Sequence, residues 1–553
     1  MVSETSGTRR AARDSRAWRS VLAGIAAITT LAIVAGLAAC GSSSSDSEGA
    51  GATNGEKSVV VFGTELAPFM SLDPDQEGAY TSITANVYDT LTGYDSATGK
   101  VTPQLATSWE SSPDGKTWTF HLREGVKFHD GSILDSAAVK FSLERSMTSG
   151  ITTYIWKPVK SVEAPDKYTV VLNLKYPAAI DMVTAASFGA WINSPAAFEK
   201  YGDKVFSAGC DAGSGPYTIK SASLTEVVLE RFPDYWGGWE DTHAKAPDLG
   251  VVRQMSEPAV RVQNLEQGVA QVIQSASFSD LPRLLDNPSL KLYNMPGWIG
   301  LDFIMNTSRE PLSDIHLREA LCYAYPYQQA VDLAYGGYAS LSHGSIPPGI
   351  PGYEEQNARF PAPAQDMAKA RAALAKSAYP NGDVTIKLHV VQGDDKAAKA
   401  CQLFKAALSE LNIDLSVKSV STSVIYTQAQ PPDAPQDIMC TQWMCSYPSP
   451  QDIAVNMFTN PPPEEEWTND FSYFSSPQTD EMFDQAEELL ATDQEAGIEL
   501  LLDCWEIIEA QKTTIFSANL ESTPVASTSL KGFAGFPPEF QATVLFYDVW
   551  LEE

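Results

Sequence analysis

Basic residues are scarce in this chain, and their scarcity excludes one class of partner. The 553 residues carry 38 Lys and Arg against 69 Asp and Glu, so the formal net charge is −31. A surface of this sign repels phosphate backbones, and we therefore expect no nucleic-acid partner. Hydrophobic residues make up 44%, which is enough for a folded protein, and the length predicts two to four packed units rather than one core.

The chain also lacks the motifs of common catalytic sites. It contains neither HExxH nor G-x-S-x-G, and none of its six histidines has a second histidine three or four residues further on. The stretch Asp114–Thr117 ends like a phosphate-binding loop, but Glu110 stands where that loop needs a glycine. We therefore expect no catalysis, no metal and no other cofactor.

Cysteines are few, and their spacing does not show whether they form disulfides or remain free thiols. Apart from Cys40, the chain has six: Cys210, Cys322, Cys401, Cys440, Cys445 and Cys504. In an oxidising compartment they could form up to three disulfides, in any of about 15 connectivities. Each could equally be a buried free thiol.

A long uncharged run, Val21–Ala39, follows an amino-terminal segment with five arginines and two acids. This is the pattern of an export signal. The run leads into Leu37-Ala38-Ala39-Cys40, which resembles a bacterial lipobox and implies cleavage before Cys40 and lipidation of its thiol. The alternative is an uncleaved anchor helix, since 19 residues can span a bilayer. Residues 41–55 have no large apolar side chain and predict a flexible tether.

Hydrophobic periodicity predicts elements at several places. Residues Trp118–Phe128 alternate and bend at Gly125, which predicts two strands, and a helix is expected over Asp135–Arg145. Two further helices are expected over Asp480–Leu490 and Gly497–Ala510.

A strand–helix–strand passage is predicted in the second half of the chain. Val384–Val390 alternates, residues 397–411 place apolar side chains on one helical stripe, and Leu415–Val420 supplies another strand. Short connections predict parallel pairing of the two strands. His389 falls on the polar face of the first strand, so we expect it to be exposed.

Six blocks of sequence occur in an order typical of one protein family. They are Ser71–Pro74 with Val87–Leu91; Pro103–Glu110 with Asp114–Gly131; Gly213–Tyr217; Asp234–Gly238; Met305-Asn306 with Pro311–Asp314 and Arg318–Leu321; and Trp443 with Tyr447–Pro450. The chain resembles the family 5 extracytoplasmic solute-binding proteins of ABC importers, the oligopeptide- and dipeptide-binding type. The blocks cover nearly all of the chain beyond the tether.

The resemblance implies an α/β, two-lobed, periplasmic-binding-protein-like fold with an inserted extra region, the three-domain type II or cluster C arrangement. Hinges are expected near Gly300 and Glu521. The implied organisation is a signal peptide (1–39), a tether (40–56), lobe I (57–86, 211–300 and 521–553), an inserted subdomain (87–210) and lobe II (301–520).

The resemblance also points to cleft residues. In the resembling proteins a Trp-x-x-Asp-Tyr stretch lies in the cleft, and its Asp holds the peptide's α-amino group. Here Trp443–Tyr447 has Ser446 at the Asp position, and no basic residue stands in Met439–Gln442 to clamp a peptide carboxylate. Both charged anchors of a free peptide are therefore in question.

The candidate ligand-binding residues are Glu77, Tyr80, Trp298, Trp443, Met444, Ser446 and Tyr447. An aromatic ring such as Trp443 can stack on a ligand while Met444 adapts beside it, and Glu77 can accept an N–H. The alternatives are a core role for Trp443 and Trp298, and plain solvation for Glu77.

The sequence-based hypothesis is a lipid-anchored, monomeric binding protein on the outer face of a bacterial cell membrane. It captures a peptide or peptide-like solute between its lobes and delivers it to the permease and ATPase subunits of an ABC importer. An oligosaccharide or metal chelate is the alternative solute. A lipid-tethered hydrolase, and an adhesin or chaperone that reuses the fold, are the alternatives of a different class.

Overall fold

The computed structural model describes residues 57–65, 69, 71–76, 80–148, 153–186, 188–207, 209–421, 424–425, 434–459, 470–474, 476–538, 540 and 542–552. The predicted signal peptide, the tether, Cys40 and Glu77 lie outside them. The strands are β1 Val59–Thr64, β2 Thr92–Asp95, β3 Lys100–Pro103, β4 Ala106–Ser111, β5 Thr117–Leu122, β6 Val159–Asp166, β7 Thr169–Leu174, β8 Tyr217–Ala222, β9 Glu226–Arg231, β10 Leu249–Gln254, β11 Val272–Ile273, β12 Leu290–Leu292, β13 Met295–Met305, β14 Ala339–Ser340, β15 Val384–Val391, β16 Ile413–Val420, β17 Ile438–Met444, β18 Thr514–Ser522, β19 Val525–Ser527, β20 Leu530–Lys531 and β21 Trp550–Leu551.

Helices connect and cover these strands. The α-helices are α1 Thr81–Val87, α2 Ser136–Ser146, α3 Ile180–Val183, α4 Pro195–Tyr201, α5 Pro258–Glu266, α6 Leu281–Leu285, α7 Ile315–Ala324, α8 Tyr327–Gln329, α9 Tyr353–Arg359, α10 Met367–Leu374, α11 Asp395–Ser409, α12 Asp452–Phe458, α13 Pro477–Leu490 and α14 Gln494–Ala510. Shorter 3₁₀ turns span Thr153–Trp156, Gly202–Lys204, His243–Lys245 and Phe546–Asp548, and a π-helical turn spans Ala330–Ala334.

A seven-stranded sheet, in the order β12-β19-β11-β1-β10-β9-β8, gathers strands from three separate stretches of the chain. We call the region around it lobe I. Its central strand β1 lies parallel to β10 and β11. Val60 and Phe62 pack into one core cluster, and Val61 packs into another on the opposite face. A strand covered on both faces needs a continuous apolar run, which Val59–Phe62 provides.

A six-stranded sheet, in the order β14-β18-β13-β17-β15-β16, forms the region that we call lobe II. Its strand β13 also has two apolar faces, since Leu301, Phe303 and Met305 enter one cluster while Trp298 and Ile304 enter another. Successive strand side chains point to opposite faces, so even-numbered positions of β13 share a face.

The predicted strand–helix–strand passage is confirmed, with β15 parallel to β16 across helix α11. Asp394 starts that helix by accepting the Ala397 N–H at 2.9 Å. The expected exposure of His389 is wrong, because its side chain is buried. Ile386, Leu388 and Val390 of β15 pack into one core cluster, and Val391 packs against another on the opposite face. Both faces of the strand are therefore covered, and the alternation does not lead to solvent. Burial also lowers the pKa of His389.

A four-stranded sheet, β4-β5-β7-β6, forms what we call the inserted region together with helix α2. The helix prediction is confirmed, with Asp135 accepting the Ala138 N–H at 3.1 Å. The predicted second strand over Val126–Phe128 is wrong. Strand β5 pairs with β4 and β7 instead, and Lys127 makes only an isolated bridge with Ile133.

The six described cysteines are all free thiols in the structure. Four of them are buried, and Cys401 and Cys440 lie in the same core cluster of lobe II. Burial raises the pKa of the Cys440 and Cys445 thiols, which keeps them protonated and poorly reactive.

Candidate functional site

Strand register brings two of the predicted tryptophans to one face of the lobe II sheet. β13 and β17 are antiparallel, with Gly300 opposite Trp443 and Ile299 opposite Met444. Directly opposed residues in such a pair point to the same face. Trp298, two positions before Gly300, therefore shares the face that Trp443 occupies.

The two tryptophans differ in their surroundings. Trp443 is half-buried, with its ring edge-on to Phe471 at a centroid distance of 6.4 Å. Trp298 is buried and edge-on to Tyr94 of strand β2 at 5.6 Å. Tyr94 in turn donates its hydroxyl to the Gly349 carbonyl at 3.3 Å. Trp298 thus lies where the β2–β3 hairpin meets lobe II.

Ser446 occupies a junction between the inserted region and lobe II. Its hydroxyl makes a short hydrogen bond with the hydroxyl of Tyr154, and its backbone N–H donates to Asp452 Oδ2 at 2.7 Å. Burial raises the pKa of Asp452 to about 7. The hydroxyls of Ser446 and Tyr154 therefore form a neutral pair near the buried carboxyl group of Asp452.

A recess opens beside this junction, and Tyr447 is part of its wall. Ala178–Val183 of the inserted region supplies one side, while Ser449–Gln451 and α13 supply the other. Glu487 of α13 also lines it, and burial together with the nearby Asp484 raises the pKa of Glu487 to about 7. The recess thus joins an apolar wall to a carboxyl group that is readily protonated.

The structure does not bring all the predicted residues together. Trp298, Trp443, Met444, Ser446 and Tyr447 lie on two neighbouring strands and the loop that follows. Tyr80 instead precedes helix α1 in lobe I, edge-on to Phe69 at 5.2 Å. The role of each as a ligand contact stays a prediction.

Several polar groups at these places escaped the sequence analysis. Burial raises the pKa of Asp302 on β13 to about 8, and its side chain is only 2% exposed. One signal was available, because an acidic residue interrupts the apolar run Trp298–Met305. Asn519 and Glu487 gave no comparable signal, since each is separated by many residues from the segment that it meets.

Metal ligation is not indicated by the described part of the chain. Within the residues that the structure describes, no three His, Cys, Asp or Glu side chains are grouped to hold an ion. None of the helices found there has both the length and the apolar character of a membrane span.

The comparisons with known proteins identify the family. The model of the bacterial extracellular solute-binding proteins, family 5 Middle, matches residues 100–465. This chain belongs to family 5 of the bacterial extracellular solute-binding proteins. Proteins of this family bind small solutes outside the cytoplasm and deliver them to ABC permeases, and they are not enzymes. The predicted family and the absence of catalysis are therefore confirmed, and the hydrolase alternative is removed.

Individual relatives agree with the family and with the fold. The glutathione-binding protein GsiB of Pectobacterium atrosepticum is 28% identical over 492 residues, covering 87% of this chain and 91% of its own. The periplasmic binding protein DppA of Helicobacter pylori, in complex with the peptide STSA, superposes with a TM-score of 0.76 at 23% identity, covering 90% of this chain and 99% of its own. AgaA of A. tumefaciens R10, in complex with agropinic acid, superposes with a TM-score of 0.75 at 24% identity, covering 90% of this chain and 99% of its own. The predicted fold class of this family 5 protein is confirmed.

Proposed function

We propose that this family 5 protein captures a peptide or peptide-like solute between lobe I and lobe II and passes it to its permease. The observation that carries the proposal is the shared sheet face of Trp298 and Trp443, with Met444 next to Trp443 on the same strand. Aromatic and thioether side chains fit varied solutes, while nearby polar atoms orient them. The relatives whose names mention glutathione or a peptide support the same solute class.

Lobe movement is the second part of the proposal. The chain passes between the two large sheets twice, once between β12 and β13 and once between β18 and β19. The two crossings lie side by side, since Tyr293 donates its N–H to the Pro524 carbonyl at 2.9 Å. Two adjacent strands can bend together as one hinge, which supports closure around a solute. The lobe boundaries expected from the sequence stay part of this proposal.

A second solute class is supported by one neighbour. The AgaA complex contains agropinic acid, so the same fold accommodates a solute that is not a peptide. An oligosaccharide or a metal chelate stays a further alternative. All of these would occupy the same cleft, so the choice between them is a matter of measured affinity.

Calorimetry on the full-length protein in detergent tests the solute class and the role of Trp443. Glutathione, trialanine, agropinic acid and maltotriose are the probes, and we expect a peptide probe to bind most tightly. Trp443→Ala should weaken that binding about tenfold or more, because truncating a central aromatic contact costs ~2 kcal/mol. Its melting temperature should stay close to that of the wild type, since Trp443 is only half-buried.

Two outcomes would count against these assignments. Unchanged affinity in Trp443→Ala would place this ring in the packing of lobe II alone. Leu333→Ala, which truncates an exposed apolar side chain of lobe II, is the control and should leave affinity unaltered. Binding of maltotriose or agropinic acid without binding of either peptide would overturn the peptide assignment.

Anchoring by lipid at Cys40, after cleavage of residues 1–39, is also proposed. The arginine-rich start, the uncharged run and the Ala-Ala-Cys junction support it. Cys40→Ala should move the protein from the membrane pellet to the soluble fraction, measured by immunoblot of fractionated cells. If the variant stays in the membrane at full precursor mass, residues 21–39 act as an uncleaved anchor instead. We propose that the anchored protein works as a monomer.

A further inference from the structure

A carboxyl group with an unsatisfied oxygen lies within the face that carries the two tryptophans. Asp302 is 2% exposed, and its Oδ1 has no hydrogen-bond partner among the described residues. Its neighbours across the strands are Thr441 on β17 and Phe516 on β18. Burial alone raises the pKa of this carboxyl group, with no charged side chain of the described chain contributing. A buried polar group of this kind costs stability unless something satisfies it.

The residue next to Asp302 on this face of β13 is a glycine. Gly300 precedes it by two positions on the same face, and a Cβ added there would lie 3.4 Å from both carboxyl oxygens. Trp443 on β17 and Asn519 on β18 stand opposite Gly300 on its two sides. Gly300 therefore puts no side chain between Asp302 and these two residues.

Two donors without acceptors occupy neighbouring positions of the sheet, with Asn519 directly opposite Gly300 and Trp298 two positions before it. Asn519 Nδ2 and Trp298 Nε1 are buried and lack hydrogen-bond partners among the described residues, with their side chains 3% and 2% exposed. The face thus presents one strong acceptor and two donors. Three buried groups of complementary type around one glycine are what a solute that both donates and accepts would satisfy together.

We infer that Asp302 binds an ammonium group of the solute, with Asn519 and Trp298 donating to the adjacent carbonyl or carboxylate. This inference rests on the proposed function, since it names the part of a peptide-like solute that the site takes. An ammonium group supplies the charge that makes a buried carboxylate favourable, and the bond between them is charge-assisted. Separation of the β2–β3 hairpin from Trp298 when the lobes part would open the site to solvent.

Affinity for free and N-acetylated peptides tests the inference. The probes are glutathione and trialanine, each with a free amine and as its N-acetyl form, titrated by calorimetry into the full-length protein in detergent. Wild-type protein should bind the free amine at least about tenfold more tightly, because acetylation removes the charge. Asp302→Asn should weaken binding of the free amine about 30-fold and leave binding of the acetylated form almost unchanged.

The substitution is chosen so that folding does not obscure the result. Asparagine has the shape of a protonated Asp302, so the melting temperature should be equal to or above that of the wild type. Asp470→Asn is the matched control, because Asp470 is a second buried carboxyl group of lobe II whose pKa burial raises to about 8. Asp470 accepts the Ser472 N–H at 3.0 Å, and this variant should keep the wild-type preference for the free amine.

The outcomes separate this inference from the proposed function. If the wild type binds a peptide and Asp302→Asn keeps both its affinity and its preference for the free amine, the assignment of Asp302 fails while the peptide function stands. An equal loss in Asp470→Asn would also overturn the assignment. If the wild type binds no peptide at all, both the proposed function and this inference fail.

Discussion

At the residue scale, the pair His129–Asp211 links the inserted region to lobe I through a buried charge. Their side chains are 4% and 2% exposed, and His129 Nδ1 makes a short bond to Asp211. The other ring nitrogen, Nε2, lies 2.9 Å from the Gly215 carbonyl, which can only accept. Burial by itself would lower the pKa of His129, but the charge and hydrogen bond of Asp211 outweigh it and raise that pKa.

This pair makes the stability of the protein depend on pH. A histidine whose pKa is higher in the folded protein than in the unfolded chain stabilises the fold. This stabilisation is complete below the pKa in the unfolded chain, about 6.5, and is lost as pH rises through the pKa in the folded protein. The pKa of Asp211 is lowered, so its contribution is lost only as pH falls through that lowered value. We expect the free energy of unfolding in urea to fall from pH 6 to pH 9.

His129→Gln should remove this part of the pH dependence and cost ~3 kcal/mol at pH 6, because it leaves Asp211 buried without its cation. His389→Gln is the matched control, since burial lowers rather than raises the pKa of His389. A histidine whose pKa is lowered by folding destabilises the protein at acid pH. Its replacement should therefore raise the free energy of unfolding at pH 5 and leave it unchanged at pH 9. An unaltered pH profile in His129→Gln would contradict the assignment of a charged His129.

At the scale of elements, the correct predictions concern helices and strands whose pattern lies within one short segment of the sequence. The stripe that includes Cys401, Phe404 and Leu408 predicted helix α11, and the same three side chains are buried in the structure. The parallel pairing of β15 with β16 followed from the short connections alone. These elements lie next to one another in the sequence, so no distant partner was needed to predict them.

The elements that were predicted wrongly depend on distant partners. Val126–Phe128 was expected to pair with β5, but β7, about 50 residues later, takes that edge. Alternation predicts an exposed His389 because it usually marks one solvated face, but both faces of β15 are covered. Asp302 was missed rather than predicted wrongly, for a related reason. Only the register of β13 with β17 and β18 shows that it shares a face with Trp443 and Asn519.

At the scale of the whole described chain, the inserted region meets lobe II through groups whose charge depends on pH. Glu487 on α13 lies near Tyr176 of the inserted region and Lys157, both of which lower its pKa, and near Asp484, which raises it. Burial is the largest effect, and the pKa of Glu487 is about 7. If the lobes open, Glu487 becomes solvated and its pKa returns toward the ordinary value, about 4.3. The closed form therefore binds a proton that the open form releases.

Closure without solute should thus be favoured at acid pH. Below pH ~4 both forms carry the proton, and the preference for the closed form is lost as pH rises toward 7. Small-angle scattering at pH 5.5 and pH 8.5 should show a larger radius of gyration at the higher pH. Glu487→Gln, which stays neutral at both, should reduce that difference, whereas Glu481→Gln on the exposed side of the same helix should keep it. A wild-type pH response in Glu487→Gln would mean that closure does not depend on this proton, and the general repulsion of a chain with net charge −31 would then explain the expansion.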